Sequence, residues 1–400
     1  MTVAIAAMST YVRTPDAAYV SATNALSLQQ WLDVLAEPVL LAPRIEAEVA
    51  PAGFVPLPHE LPVRPLCQAG DCWQDRARDC RAAAAETLAE ADWAYLRAPG
   101  HEIYWTHQVA ERLSVPTLVE FHGDWGEAID AEDSDSLLRR LSRRFRSAAA
   151  GRAYRRMAEY ASAAVTIGPE LAWRYVPTHT PLLVSTNHTI PAEKYRLPCD
   201  TPLNDPPRLL FVGALERRKG LDILLAAMAQ LAERGLTATL TLAGEGPARD
   251  SLEALAGRLG LAEQVRFRGR VPHGAALLSE YRNADVFVLP SVAGEGVPRV
   301  LHEAMAMGCA TVATDIGSTA WQLADGAGRV VPPGQVRPLA EAIAELLTCE
   351  DIRRRTAETA YARALEFTYE RQGRRIETFL REYLPEACRP AEPRRALQAA

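Results

Sequence analysis

The stretch that decides the fold runs Ala284-Asp-Val-Phe-Val-Leu-Pro290, then Ser291-Val-Ala-Gly294-Glu295-Gly296-Val-Pro298-Arg-Val-Leu-His-Glu303-Ala-Met-Ala-Met-Gly308. Its first part is an apolar run closed by proline, which predicts a buried parallel strand. Two glycines then form a turn, and Pro298 suits the first turn of a helix that we expect to run to Met307. A glycine turn that leads into a helix offers unpaired N–H groups and a positive dipole end, so it suits phosphate.

Two carboxylates frame this segment. Glu295 lies in the predicted turn, and Glu303 lies within the predicted helix. Because a helix rises about 1.5 Å per residue, the two carboxylates are separated by on the order of 10 Å. This separation fits the length of a nucleotide sugar better than it fits the carboxylate pair of a glycosidase, which acts on one bond.

The segment EGVPRVLHEAMAMG, with seven residues between Glu295 and Glu303, resembles the signature of retaining glycosyltransferases of family 4. The resemblance implies the GT-B fold, an α/β architecture of two Rossmann-like parallel-sheet domains facing a central cleft. It also implies that Glu303 binds the nucleotide ribose. By the same resemblance, Glu295 contacts the donor sugar beside the backbone of Gly296, Val297 and Pro298. An ordinary surface helix is the alternative interpretation.

A second turn carries fixed positive charges. Arg208-Leu-Leu-Phe-Val212 predicts a strand, Gly213 to Gly220 a basic turn, and Leu221 the start of a helix. The spacing of a Walker loop is missing, so this segment is not a P-loop. The arrangement nevertheless predicts an anion site, because a strand, a glycine, basic residues and a helix N-terminus follow one another.

In family 4 the equivalent turn clamps the donor diphosphate with an arginine and a lysine. Arg218 and Lys219 match those positions, and Gly213 matches the donor-binding glycine. Many members also carry an arginine directly after that glycine, where this chain has Ala214. We expect Arg217 to be a surface residue, and the alternative for the whole turn is a set of solvated charges.

Two further positions follow from the resemblance. Val115-Pro-Thr-Leu-Val-Glu-Phe121 predicts a strand, and family 4 enzymes place a histidine after the corresponding strand, near the donor sugar; His122 matches it. The alternative is a structural histidine in a turn. Val271 ends another predicted strand, whose backbone contacts the base in the family. The donor-selecting loop departs from the family at Ser318 and Trp321, so the sequence does not specify the donor.

Composition sets the class of protein. With 400 residues, of which 48% are hydrophobic, the chain can form two domains, and its net charge of −6 does not suggest nucleic acid. The apolar runs are too short to span a membrane, and we expect Met1–Met8 to be a first buried strand and not a leader. Seven scattered cysteines predict a reducing cytoplasm. Cys67, Cys72 and Cys80 lack a CxxC pair, so a zinc site is the weaker interpretation.

Alternating strand and helix patterns predict parallel sheets, with an irregular excursion from about residue 50 to residue 80. Prolines between Tyr195 and Pro207 predict a linker. We therefore expect an acceptor-binding domain at 1–200 and a nucleotide-sugar domain at 201–370. A helix at 371–384 should return to the N-terminal domain, followed by a tail at 385–400.

The Arg139–Arg156 segment is rich in arginine and contains no acidic residue. Leu137, Leu138, Leu141 and Phe145 recur at helical spacing, so it predicts a basic amphipathic helix. One interpretation is contact with an anionic acceptor, or peripheral contact with an anionic membrane at the cytoplasmic face of the inner membrane. The other interpretation is a solvated helix before the next strand.

The predicted reaction is transfer of a hexose-type sugar, with retention, from a nucleotide-diphosphate donor to a hydroxyl acceptor on a glycan, a lipid-linked molecule or a small molecule. We expect a UDP- or GDP-linked donor and no other cofactor. Positive groups at the leaving diphosphate would act without a metal. The one D-x-D sequence, Asp133-Ser-Asp135, lies in a polar loop and is interpreted as solvated. Alternatives are another GT-B enzyme, such as a nucleotide-sugar epimerase or a phosphorylase, and a non-catalytic GT-B subunit.

Overall fold

The computed structural model describes residues 2–7, 10–68, 72–130, 137–186, 190–197 and 203–388. The described chain divides into two compact units. The first unit takes its residues from Met1–Ile167, Leu171–Ser185 and Gly373–Ala400, and the second from Gly168–Glu170 and Thr186–Gln372. The division at Ser185 lies before the boundary at 200/201 that the prolines predict. The reason is that Ile190 and Tyr195 are buried in the core of the second unit.

The first unit is built on a mixed sheet. Its described strands pair in the order β10-β9-β8-β7-β1-β4-β2-β3-β5, with β6 paired to β4. The strands are β1 (Val3–Ala7), β2 (Tyr11–Arg13), β3 (Ala18–Ser21), β4 (Pro38–Glu46), β5 (Phe54–Pro56), β6 (Val63–Gln68), β7 (Trp93–Ala98), β8 (Thr117–Phe121), β9 (Ala163–Ile167) and β10 (Leu182–Ser185).

Helices cover this sheet on both faces. In β1, Val3 and Ile5 belong to one buried cluster, while Ala4 and Ala6 belong to another. Because successive residues of a strand point to opposite faces, both faces of the sheet are buried. The helices up to the second unit are α1 (Ala22–Leu32), α2 (Trp73–Leu88), α3 (His101–Leu113), α4 (Trp125–Asp130), α5 (Leu137–Tyr160) and α6 (Pro169–Tyr175).

The region from about residue 50 to residue 80 is more regular than we predict. It contains β5, β6 and the start of α2, so the expectation of an irregular excursion is wrong. The prolines are compatible with these strands because β5 is a terminal strand of the sheet order and β6 pairs with β4 alone. The pairs β2–β3 and β3–β5 are antiparallel, whereas the other pairs of this sheet are parallel.

The second unit has a parallel sheet with the strand order β13-β12-β11-β14-β15-β16 among its described residues. The strands are β11 (Arg208–Val212), β12 (Thr239–Ala243), β13 (Val265–Gly269), β14 (Val286–Leu289), β15 (Ala310–Thr314) and β16 (Arg329–Val331). The helices are α7 (Leu221–Glu233), α8 (Arg249–Arg258), α9 (Ala275–Arg282), α10 (Arg299–Ala306), α11 (Thr319–Gln322), α12 (Val336–Thr348), α13 (Glu350–Leu365) and α14 (Tyr369–Tyr383). Short 3₁₀ turns lie at Ala192–Lys194, Arg217–Lys219 and Ala324–Gly326 of this unit, and another lies at Pro385–Ala387 of the first unit.

The strand order of this second sheet contains a topological switch point. From β11 the chain adds β12 and β13 on one side, and it then crosses to place β14 on the other side of β11. In open parallel sheets, ligands bind beyond the carboxyl ends of the two strands at such a point. The loops after β11 and β14 are the two glycine turns that the sequence analysis singles out.

The helix α14 belongs to both units along its length. It starts at Tyr369 in the second unit, and from Gly373 its residues are assigned to the first. Its apolar residues Ile376, Phe379 and Leu380 are buried in a core cluster of the first unit. Within the described parts of the chain, no helix is long and apolar enough to cross a bilayer.

Candidate active site

The two glycine turns meet at the switch point of the second unit. Leu209 of β11 lies opposite Val286 of β14, so the loops that leave these strands start side by side. The backbone N–H of Val292 donates to the carbonyl of Arg218 over 2.8 Å, and the guanidinium Nη1 of Arg218 donates to the carbonyl of Gly294 over 3.0 Å. Backbone and side-chain hydrogen bonds therefore join the two turns.

An ion pair between Lys219 and Glu295 links the same turns. Lys219 Nζ donates to Glu295 Oε1, and these side chains are only 12% and 9% exposed. Ser291 Oγ donates to the same carboxylate oxygen over 2.5 Å, and the carbonyl of Ser291 accepts a hydrogen bond from Thr314 Oγ1. The carboxylate is thus held by two donors from different loops, which fixes the position of its charge.

Two glycines allow the loops to approach this closely. Gly220 has φ of 62°, and a Cβ there would lie 2.1 Å from the carbonyl oxygen of Pro290. Gly317 has φ of 60°, and a Cβ there would lie 1.9 Å from the carbonyl oxygen of Glu295. Only glycine fits these left-handed, crowded positions without a shift of the backbone.

Glu303 lies on α10 and is 5% exposed. The buried hydroxyl of Tyr281, from α9, donates to Glu303 Oε2 over 2.7 Å. Burial, and then the charge of Glu303, raise the pKa of Tyr281 well above its ordinary value, so the phenol stays a donor. The other oxygen, Oε1, lies 3.4 Å from Nε2 of the half-exposed His273. One oxygen of the carboxylate is therefore fixed in the core, and the other lies beside a half-exposed histidine.

The remaining predicted donor-binding positions lie around these groups. Gly213 follows the last residue of β11, and its N–H donates to the carbonyl of Ala243, so this amide is already used at the sheet edge. Gly296 is exposed, and its carbonyl accepts a hydrogen bond from the N–H of Ser318 over 2.8 Å. The other three predicted donor-binding positions are partly or fully buried: Val271, Val297 and Pro298.

The basic turn contains one exposed and one anchored arginine. Arg217 is exposed, as expected for a surface residue. Arg218 is anchored, because its Nε donates to Glu216 over 2.6 Å while Nη1 binds Gly294. Lys219 and Arg218 therefore hold positive charge at fixed places beside the start of α7. The first turn of this helix contains the acidic residue Asp222.

His122 lies in the first unit, one residue after β8. Its backbone N–H donates to the carbonyl of Ala98 over 3.0 Å, which continues the parallel pairing of β7 and β8. The ring lies 3.1 Å from the carboxylate of Glu120. The neighbouring Asp124 is bound by Arg174 over 2.5 Å and by the hydroxyl of Tyr175 over 2.7 Å, so it anchors α6.

Ser291, Tyr281 and Glu120 are not among the predicted site residues, although each contacts one of them. Ser291 had a local signal, because it stands four positions before Glu295 in the central stretch. Glu120 also had a local signal, because it stands two positions before His122. Tyr281 had none, because its partner Glu303 lies 22 positions away on another helix. Asp133-Ser-Asp135 lies outside the described residues. Among the described residues, no group of three or more His, Cys, Asp or Glu side chains could hold a metal ion.

The comparisons with known proteins find similar glycosyltransferases. Residues 200–363 match the family model described as glycosyl transferases group 1. The phosphatidyl-myo-inositol mannosyltransferase of Mycolicibacterium smegmatis is 40% identical over 161 residues, which are 38% of this chain and 41% of that protein. The chain thus spans about two fifths of the length of the curated relatives it matches.

Two solved structures resemble nearly the whole chain. The sucrose-phosphate synthase of Thermosynechococcus elongatus has a TM-score of 0.71 at 18% identity, over 96% of this chain and 100% of that one. The protein HepE of Anabaena, solved in complex with UDP, has a TM-score of 0.69 at 17% identity, over 96% of this chain and 100% of that one. The predicted GT-B fold is confirmed, and the match to the group 1 glycosyl transferase model covers residues 200–363.

We expect Gly220→Ala to destabilise the second unit more than Gly235→Ala does. The two residues have φ of 62° and 77°, where an L side chain costs about 1–2 kcal/mol. A Cβ at Gly220 would also collide with the carbonyl of Pro290, whereas one at Gly235 meets nothing within 4 Å. Unfolding free energies in urea should therefore differ between the variants by more than about 1 kcal/mol. Equal losses of unfolding free energy in the two variants would show that the turn at Gly220 can move away from Pro290 without a free-energy cost.

Proposed function

We propose that this protein is a metal-independent, retaining glycosyltransferase that moves a hexose-type sugar from a nucleotide diphosphate to a hydroxyl acceptor. The observation that carries the proposal is the placement of Arg218, Lys219, Glu295 and Glu303 around one topological switch point. A nucleotide sugar has a ribose, a diphosphate and a hexose in sequence, and the site offers a group suited to each part. The acceptor-binding role would then belong to the first unit.

Charge stabilisation at the diphosphate is the main catalytic demand. When the bond between the sugar and the phosphate breaks, negative charge grows on the leaving diphosphate and positive charge on the anomeric carbon. Lys219 and Arg218 supply fixed cations, and the starts of α7 and α10 add dipole charge. Because these groups are positioned before the reaction, they can neutralise the leaving group with little reorganisation.

The two glutamates would bind the ends of the donor. Oε1 of Glu303 can accept hydrogen bonds from the ribose hydroxyls, while Tyr281 holds Oε2. Glu295 would accept hydrogen bonds from the hexose. Since Glu295 is paired with Lys219, the lysine would share its charge between this carboxylate and the diphosphate. By the family resemblance, His122 would contact the donor sugar.

The comparisons support the substrate class at a coarse level. HepE was solved with UDP, and the mycolicibacterial relative is a mannosyltransferase for a phosphatidyl-myo-inositol. A UDP- or GDP-linked hexose therefore heads the list of donors to test, and the acceptor is a glycan, a lipid-linked molecule or a small molecule. Product analysis would separate transfer from the epimerase alternative, and the anomeric configuration of the product would decide retention.

We expect calorimetry to detect selective binding of one nucleotide among UDP, GDP and ADP. Glu303→Ala should weaken that binding about tenfold, because a hydrogen bond to the ribose is lost. Glu341→Ala is the matched control, since this carboxylate lies on the exposed surface of α12 in the same unit and pairs with Arg337. Absence of binding for all three nucleotides would contradict the donor site.

Lys219→Ala should lower turnover by on the order of 10²-fold, because a preorganised charge at the leaving group is removed. Arg217→Ala, which removes an exposed charge from the same turn, should leave turnover within about twofold. Initial rates at saturating donor and acceptor measure both. A Lys219→Ala enzyme with near-normal turnover would exclude the lysine from the mechanism.

The Arg139–Arg156 segment supports a second proposal, peripheral contact with an anionic membrane at the cytoplasmic face. In α5 the inward side is formed by residues such as Tyr154 and Met157, which are 1% exposed. On the outward side Leu141 is 46% exposed and Phe145 is 73% exposed, between exposed arginines. An exposed aromatic residue flanked by cations is the composition of interfacial helices. The side chains of Leu137 to Arg140 lie outside the described residues.

The membrane proposal predicts co-sedimentation with vesicles that contain phosphatidylglycerol and weak binding to phosphatidylcholine vesicles. Replacing Arg144, Arg152 and Arg155 with glutamine should reduce binding to the anionic vesicles by at least about tenfold, at roughly 1 kcal/mol per charge. Glutamine at Arg258, Arg266 and Arg355, exposed arginines of the second unit, is the control. Equal binding of the two triple variants would exclude α5 as the contact.

A further inference from the structure

A buried polar cluster lies at the carboxyl ends of β7 and β8, around the carboxylate of Glu120. Glu120 is 3% exposed and sits between two strands of the first sheet. Three groups converge on its Oε2: the hydroxyl of Tyr95, which donates to it, Nε2 of His122 at 3.1 Å, and Nε of Arg97 at 3.5 Å. Tyr95 is 1% exposed and belongs to a core cluster of the first unit, so this side of the polar cluster is buried.

The hydrogen-bonding chemistry of this cluster selects one form of the His122 ring. Arg97 Nη2 lies 3.5 Å from Nδ1 of His122. A guanidinium can only donate, so Nδ1 must present its lone pair in this contact. The ring proton is then on Nε2, the nitrogen that faces the carboxylate of Glu120. The arrangement matches the common pattern in which a carboxylate holds one imidazole nitrogen so that the other serves as an acceptor.

Glu120 stays ionised in this setting. Burial by itself raises the pKa of its carboxyl group, but the hydrogen bond of the His122 ring, the charge of Arg97 and the hydrogen bond of Tyr95 lower that pKa. Tyr95 remains a phenol, because burial and then the charge of Glu120 raise its pKa well above the ordinary value. The cluster therefore keeps a full negative charge beside the imidazole.

Stability alone is a weak reason for such a cluster. Removing charged groups from water costs several kcal/mol, and an apolar replacement of similar volume is often as stable. The cluster also stands near the carboxyl ends of two parallel strands, one residue from the end of β8, and open α/β sheets bind ligands beyond such ends. A role in positioning His122 accounts both for the desolvation cost of the cluster and for its location near the ends of β7 and β8.

We propose that Glu120 is a positioning residue that, with Tyr95 and Arg97, fixes His122 as the Nε2–H tautomer so that Nδ1 accepts a hydrogen bond from a substrate hydroxyl. The inference rests on the proposed glycosyltransferase function and on the role of His122 within it. Arg97 occupies the Nδ1 side at 3.5 Å, a long contact that a sugar hydroxyl at normal hydrogen-bond distance would replace. The proposal involves no covalent step by Glu120.

The first test is a double-mutant cycle on transfer kinetics. Glu120→Gln should lower kcat about tenfold with the donor KM changed by less than about twofold, and His122→Ala should lower kcat further. The double variant should equal His122→Ala, because Glu120 acts only through the ring. Glu111→Gln, a carboxylate of the same unit paired with Arg156, is the control and should match the wild type. Additive losses, or normal kcat for Glu120→Gln, would overturn the proposal.

A second test does not depend on activity. Ring nitrogen NMR spectra of ¹⁵N-histidine-labelled protein report which nitrogen of His122 carries the proton, with His122→Ala used to assign the signal. The wild type and Glu111→Gln should show the Nε2–H tautomer, and Glu120→Gln should show a tautomer mixture. The same spectrum for wild type and Glu120→Gln would refute the positioning role. If this test succeeds while no nucleotide sugar is consumed, the proposed function fails and the arrangement around His122 stands.

Discussion

The ion pair between Lys219 and Glu295 is the interaction on which the candidate site depends. It joins two turns that leave adjacent strands, and it is largely removed from solvent. Taking two charges out of water is unfavourable unless their geometry is good and further hydrogen bonds satisfy them. The hydroxyl of Ser291 supplies such a bond, and the glycine at position 220 lets the basic turn approach Pro290 closely enough for the pair to form. Positive charge is thereby held at the sheet edge before any anion arrives.

The same solution recurs at carboxylates in each unit. A buried tyrosine hydroxyl donates to Glu303 in the second unit, and another donates to Glu120 in the first. In each case burial, together with the nearby carboxylate charge, raises the pKa of the phenol, so the proton stays on the tyrosine. One oxygen of each carboxylate is anchored in this way. The orientation of each carboxylate is then set by a tyrosine that is buried in the core.

Local sequence patterns predict the central strand, turn and helix of the second unit. The apolar run before Pro290, the glycine turn and the helix that contains Glu303 form as predicted, because strand, turn and helix signals all agree there. The helix ends at Ala306, one residue early. The region from about residue 50 to residue 80 was not foreseen, because its prolines suggested loops, and strand pairing with β4 overrode that local preference.

Partners distant in sequence could not be predicted at all. Tyr281 reaches Glu303 across 22 positions, and Tyr95 reaches Glu120 across 25, whereas periodicity relates residues only three or four apart. The helix α5 shows the same limit. Its Leu141 and Phe145 have the spacing of a core-facing stripe, yet they are exposed, because Tyr154 and other residues further along the helix make the contact with the sheet. The elements that pack against a helix decide which of its two apolar stripes is buried. A local sequence pattern does not contain those elements.

The internal partners also bear on how a donor would bind. Lys219 is paired with Glu295, Arg218 with Glu216, and Glu303 with Tyr281. A nucleotide sugar that contacts these groups exchanges one set of charge-assisted hydrogen bonds for another, so ground-state affinity gains little from them. As the bond to the sugar breaks, the charge on the diphosphate increases and the exchange becomes more favourable. An arrangement of this kind therefore directs its binding energy to the transition state, which raises turnover and not merely affinity.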